Sequence, residues 1–264
     1  MIPSFVEAAR LPQTDRDQAA PISDAEGRAT LALLGELRDD DWARPTDCVE
    51  WDVRTLVSHL VGQCEDNIHL RTMLRRQLTG RRRYPSKITL DAHMAVQIDD
   101  HATETGPALV EEFARLWPRA VRARLRRPST LRRVTIDSGI PGTPRMPIGY
   151  LLDVIYPRDL WMHRVDLARA TGRPITTGEH DRQITEQVIR DLALAWTGPP
   201  IALELTGPAG GSWLIGTGDP AGVVRADAVA YMRALAGRDD DVHLELVSGD
   251  PAASAAARQA RVVF

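Results

Sequence analysis

From Gly149 to Gly172 the chain reads GYLLDVIYPRDLWMHRVDLARATG, which apart from Pro157 is one long helical pattern ended by a glycine stop. Leu152, Ile155, Leu160, Val165 and Leu167 give it apolar surface for packing. Asp159 and His163, four residues apart, point the same way and can share one metal ion or one ligand. Tyr156 and Asp166 extend that stripe by three residues on either side. Pro157 removes one backbone donor, so a bend one turn before His163 is expected. A pair of this kind needs further ligands before it holds a metal.

The candidate third ligand is His59, in WDVRTLVSHLVG. Asp52 is placed to cap a helix whose apolar residues are Val53, Leu56, Val57, Leu60 and Val61. His59 falls on the border of that stripe, where it looks inward but off-centre, as ligands in bundle cores do. Two imidazoles and one carboxylate leave a tetrahedral position for water or substrate. Spacing alone leaves the alternative open: a border histidine, and an Asp–His pair making an ordinary helix contact.

Two segments, TDCVEWDVRTLVSHLVG and, about a hundred positions later, YPRDLWMHRVDLARATG, together resemble the mycothiol-dependent maleylpyruvate isomerase family. That family belongs to the DinB-like superfamily of metal-binding four-helix bundles. The resemblance implies that His59, Asp159 and His163 bind a divalent metal, usually zinc. The family more often has Glu where this chain has Asp159. The stretch GDPAGVVRADAVAYMRALAGRDDD resembles the family's small second domain, and Arg238 within it matches an arginine implied in thiol or substrate contact. Arg82, His93 and Tyr156 join Arg238 as expected contacts of thiol or substrate, and a solvated surface charge is the other reading of Arg238. The implied architecture is a two-domain α+β protein: a flexible arm over 1–20, an up-and-down helical bundle over 21–176, and a small α+β domain over 177–264.

The remainder of the chain can be read in order. Ser23 and Glu26 have capping-box spacing, which predicts a first helix over 24–38. Trp42 and Trp51 are expected to pin the loop that follows. The helix begun at Asp52 is expected to run to Gln77, with Arg75, Arg76, Arg81, Arg82 and Arg83 as its solvated end. His69 lies nearly three turns beyond His59 and is read as a surface residue. A helix is assigned to 88–104, and another begins at Pro107 with Leu109, Val110, Phe113, Leu116, Trp117, Ala120 and Val121 as its packing face. Arg119, Arg122, Arg124, Arg126 and Arg127 are expected behind that face. The irregular SGIPGTPRMPIG stretch precedes the metal-helix candidate and is a candidate cover for the site. Past Pro174 come a helix over 179–195, strands at IALELTG and SWLIG, a helix over 225–236 and a strand in VHLELVSGD.

Function classes narrow further with charge and motif. The net charge is −3, and Lys87 is the single lysine among 33 basic residues. That acidity, without aromatic and basic residues interleaved, argues against a nucleic-acid partner. Cys48 and Cys64 do not make a disulfide scaffold, and no apolar run has membrane length, so a cytoplasmic protein, monomer or homodimer, is expected. No Ser-x-Gly elbow, P-loop, dinucleotide fingerprint or His-Glu-x-x-His motif competes with the metal reading. A metal with an open position can lower the pKa of a bound thiol. The resemblance implies mycothiol as that cosubstrate: its zinc-bound thiolate would add to a small electrophile, allow bond rotation and leave, or stay on in an S-transfer. Two other readings stay open, a thiol-independent metalloenzyme of the same fold in a biosynthetic pathway, and a non-enzymatic ligand-binding protein stabilised by metal.

Overall fold

The computed structural model of the chain describes residues 5–139, 143–239 and 241–264. Within the stretch expected as a flexible arm, Val6–Glu7 form β1, which pairs in parallel with a strand near residue 213. Helix α1, Arg16–Leu34, then begins eight residues earlier than the Ser23 spacing predicted. Its cap is Asp15, whose Oδ1 accepts from the backbone of Asp17 and Gln18 (both 2.9 Å) while the Gln18 side chain accepts from Asp15 N. Ser23 is buried inside the helix, and Pro21, also inside it, conceals the true start from a sequence reading.

The chain divides into two compact units, 15–174 and 1–14 with 175–264. In the first, α2 spans Val53–Ile68, α3 Leu70–Arg83, α4 Thr89–Asp100 and α5 Gly106–Leu125. The single helix expected from Asp52 to Gln77 is broken at His69, which is extended and exposed. Long-range bonds account for the break: Arg127 Nη2 donates to the Asn67 carbonyl (2.6 Å), and Arg76 Nη1 donates back to the Gly62 carbonyl (2.9 Å). Arg76 is therefore buried rather than part of a solvated helix end. Arg124, expected behind the packing face of α5, is also buried.

A short helix α6, Ser129–Arg132, is followed by the two-residue strands β2, Thr135–Ile136, and β3, Met146–Pro147, which pair antiparallel. Residues 140–142 of the expected cover lie outside the described residues. One turn, α7 (Ile148–Tyr150), leads into a π-helical turn over Leu151–Ile155 and then α8, Tyr156–Thr171. Backbone torsions stay helical through Tyr150, Leu151, Ile155 and Tyr156, so Pro157 lies inside a continuous helical run, and its missing N–H directly follows the π-helical turn. Gly172 ends α8 in the left-handed conformation (φ 66°). Helices α1 and α2 each pack against α5 and α8, and α2 also packs against α4.

The second unit holds α9, Glu179–Ala195, and a five-stranded sheet of order β1-β5-β4-β6-β7. Strands β4 (Ile201–Thr206) and β5 (Gly211–Ile215) form the expected hairpin. The helix expected from residue 225 is first a strand, β6, Gly222–Asp227, held across the sheet by Arg225 Nη2 to Glu204 Oε2 (2.7 Å). Asp227 then caps α10, Ala228–Leu235. Strand β7 is Glu245–Gly249, and α11, Pro251–Gln259, was not foreseen. The architecture is thus mostly helical α+β. Among the described residues no helix is long and apolar enough to cross a membrane.

Gly27 marks the tightest approach of α1 to α5: a Cβ there would lie 2.0 Å from Trp117 Nε1, which donates to the Ser23 carbonyl. Gly27→Ala is expected to destabilise the chain by about 1–3 kcal/mol, as overpacking does, read as a lower urea midpoint; an unchanged midpoint would show that Trp117 can yield.

Candidate metal centre

Local capping places the first candidate ligand. Asp52 Oδ1 accepts from Thr55 N (2.7 Å) and starts α2, and Thr46 Oγ1 donates to the Trp51 carbonyl (2.8 Å), fixing the loop before it. Leu56, Val57, Leu60 and Val61 are fully buried, so His59 is carried inward with them and is 3 % exposed. Its Nδ1 lies 2.8 Å from Gln97 Oε1 of α4, while its Nε2 is buried with no hydrogen-bond partner among the described residues. Trp51 covers the ring, with centroids 5.0 Å apart, and lies 6.0 Å from the ring of His163.

Helix α8 supplies Asp159 and His163 on one face. His163 Nε2 and Asp159 Oδ1 are 3.4 Å apart. That is longer than a usual charge-assisted hydrogen bond, about 2.7–2.9 Å, and matches the roughly 3.4 Å between neighbouring ligands on a tetrahedral zinc ion. Gln63 Nε2 donates to Asp159 Oδ2 (2.7 Å). On the other side of its ring, His163 Nδ1 faces Asp166 Oδ2 at 3.4 Å, the carboxylate–histidine arrangement that orients metal ligands. One ligand atom from each of His59, Asp159 and His163 lies within 4.8 Å of the others. The unpartnered Nε2 and this donor set fit a divalent metal.

Burial, then the neighbouring His163, holds the His59 pKa down at about 4. Burial works against a proton on His163 too, but the Asp159 carboxylate, with help from Asp166 and Cys48, outweighs it and raises that pKa well above the ordinary value. Burial would raise the Asp159 pKa, and His163, His59 and Gln63 together overcome it and keep the carboxylate ionised.

Cys48 lies 3.5 Å through Sγ from Asp166 Oδ2 and 4.0 Å from His163 Nδ1, beside the cluster. Tyr156 is not among the grouped ligands; its ring faces the Arg124 guanidinium at 5.2 Å, and burial pushes its hydroxyl up to about 12. His93 is engaged by Asp66, with Nε2 2.7 Å from Oδ2. Arg82 is exposed in the last turn of α3. Arg238 belongs to the other unit, in the turn after α10, where its carbonyl accepts from Arg233. Sequence reasoning missed Gln63 and Gln97. Gln63 had a signal, lying four residues after His59 on the same face; Gln97 reaches the site only through the packing of α4 on α2.

Fold and cluster together define a mostly helical α+β protein with two histidines and one carboxylate converging in its helical unit. Residues 23–168 match the family described as mycothiol maleylpyruvate isomerase N-terminal domain, and the chain belongs to that family. Two solved structures share the fold: a mycothiol-dependent maleylpyruvate isomerase at 16 % identity, and its histidine-to-alanine mutant at 15 %. Each has a TM-score of 0.59 and covers 93 % of this chain and 97 % of its own. No curated protein matches the sequence.

Metal uptake should release a proton. At pH 7 His163 in the metal-free protein lies below its raised pKa and is protonated, whereas His59 is already neutral. Binding is therefore expected to displace about one proton, and affinity to fall up to about tenfold per pH unit on acidification below the His163 pKa. Calorimetry of zinc binding in buffers of different ionisation enthalpy checks this; a heat independent of buffer at pH 7 would contradict it.

Proposed function

We propose that the chain is a metal-dependent enzyme that uses mycothiol to isomerise a small electrophilic substrate. The observation carrying this reading is the buried, unpartnered Nε2 of His59 beside Asp159 and His163. Family membership and the shared fold support the thiol and the reaction class. The closed ring of contacts among α1, α5, α2 and α8 supports reading the helical unit as a DinB-like four-helix bundle.

Zinc is the ion we assign to His59, Asp159 and His163, and when bound it would supply a Lewis acid that lowers the pKa of a coordinated thiol. The chain's own groups then have distinct tasks. Asp166 orients the His163 ring, and Gln63 fixes one oxygen of Asp159 so that the other is left for the ion. Trp51 covers both imidazoles and excludes water on that side. The Asp159 side chain, 23 % exposed, marks the side from which small molecules approach. The thiol sulfur forms a bond to one carbon of a conjugated cis double bond, whose electrons move onto the adjoining carbonyl. Rotation about the resulting single bond follows; the electrons return, the C–S bond breaks, and the thiol leaves unchanged with the product in the trans form. Arg238 is assigned to the anionic groups of thiol or substrate on the resemblance alone. A cytoplasmic location agrees with two free cysteines and a thiol cosubstrate.

The zinc-loaded protein should be incubated with mycothiol and a panel of cis-configured conjugated acids, and the products analysed by mass spectrometry and chromatography. A rearranged substrate with thiol unconsumed is the expected result. An accumulating adduct would identify S-transfer instead, and turnover without thiol would reject the cosubstrate. Asp159→Asn keeps the shape and removes the charge, so zinc affinity and turnover should both fall at least about tenfold; a variant with unchanged affinity would remove Asp159 from the ligand set.

A further inference from the structure

Behind the three candidate ligand atoms lies a second layer of buried polar groups whose donors and acceptors constrain one another. It begins at Arg76, whose side chain is 2 % exposed. Its Nη1 donates to Asp66 Oδ1 and to the Gly62 carbonyl (both 2.9 Å), and its Nε donates to Asp100. Arginine only donates, so the Asp66 carboxylate is met as an acceptor. The other oxygen of Asp66 receives Gln97 Nε2 at 2.6 Å and His93 Nε2 at 2.7 Å.

This carboxylate decides which way the Gln97 amide points, because only the nitrogen end can donate to it. The amide oxygen therefore faces His59 Nδ1, at 2.8 Å. An oxygen in that position is satisfied only if Nδ1 carries the ring proton. The lone pair of a neutral His59 is then on Nε2, the atom left unpartnered beside Asp159 and His163. The backbone is shaped to the same end. Gly62 lies one turn after His59 on α2, and a Cβ there would come within 2.6 Å of Gln97 Cβ and 2.9 Å of its Cγ. With glycine at 62, α4 approaches closely enough for a glutamine side chain to reach the ring of His59.

We propose that Asp66 and Gln97 are positioning residues that lock His59 in its Nδ1–H tautomer and aim the Nε2 lone pair at the metal position. The effect on metal affinity rests on the function proposed above; the tautomer is a property of the metal-free chain. His93 shares the same carboxylate and so adjoins the relay.

The test is long-range 1H–15N correlation of the imidazole rings in the metal-free protein at pH 7, beside zinc titration. Wild type should show His59 as the Nδ1–H form. Gln97→Leu removes the acceptor and should give averaged ring shifts, with zinc affinity about 10–100-fold weaker. Gln97→Glu keeps an acceptor toward His59 and should retain the tautomer with a smaller loss of affinity. Gly62→Ala, which displaces Gln97 without altering it, should resemble Gln97→Leu and serves if that variant does not fold. Nε2–H wild type, or a folded Gln97→Leu or Gly62→Ala protein that keeps the Nδ1–H form, would overturn the proposal. If no form binds zinc, the metal reading fails, while the ring shifts still decide the relay.

Discussion

The candidate site is arranged around the buried Nε2 of His59, which meets no hydrogen-bond partner among the described residues. An unsatisfied buried acceptor costs about 1–3 kcal/mol, and His59 Nε2 is such an atom. An apolar side chain at position 59 would avoid that cost, since the neighbours on α2 are Leu and Val packed to full burial. Polar groups behind the ring are instead linked in series, ending on the face opposite that atom. Arg76 meets Asp66, Asp66 meets Gln97, and Gln97 meets the opposite face of the ring. Such a network is stiff when complete and weak when broken at any member. Stability is given up at one atom so that its direction is fixed.

The same unit shows why a chain with one lysine can be rich in buried cations. Arg164 forms a bidentate pair with Glu26 (2.7 and 3.0 Å), both side chains nearly inaccessible. Arg124 is held differently, with its guanidinium 4.8 Å from the Trp117 ring and 5.2 Å from that of Tyr156. Its Nη1 and Nη2 have no hydrogen-bond partner among the described residues, and burial lowers its pKa. A planar, weakly hydrated guanidinium tolerates aromatic faces in place of acceptors. A lysine ammonium in that position would need acceptors or lose its proton. At positions 76, 124 and 164 the guanidinium geometry itself is in use.

What could be read from the sequence was local. The Asp52 cap, the packing face of α5, the glycine stop at Gly172 and the first hairpin follow from side chains within a few residues of the feature they set. What could not be read depended on distant partners. The break at His69 requires Arg127, sixty positions on, to take the Asn67 carbonyl. Strand β6 looked helical because its short run is continuous with α10, and its pairing with β4 and β7 decides the matter. In the candidate site, Asp159 and His163 were visible as a four-residue spacing, whereas Gln97 is tied to His59 across thirty-eight positions.

The π turn before α8 bears on the shorter carboxylate at position 159. A bend was expected at Pro157, and the irregularity takes the form of a π turn over Leu151–Ile155, directly before that proline. A π turn accommodates an extra residue in the helical ladder, and so re-aims every side chain that follows it by about 100°, one residue's rotation. Asp159 and His163 keep their mutual spacing through such a change, and only their direction relative to α2 is altered. Gln63 then anchors Oδ2, and Oδ1 rests 3.4 Å from His163 Nε2, the separation expected of two ligands on one ion. With Oδ2 held by Gln63, the aspartate at position 159 presents Oδ1 beside His163 without the help of a longer side chain.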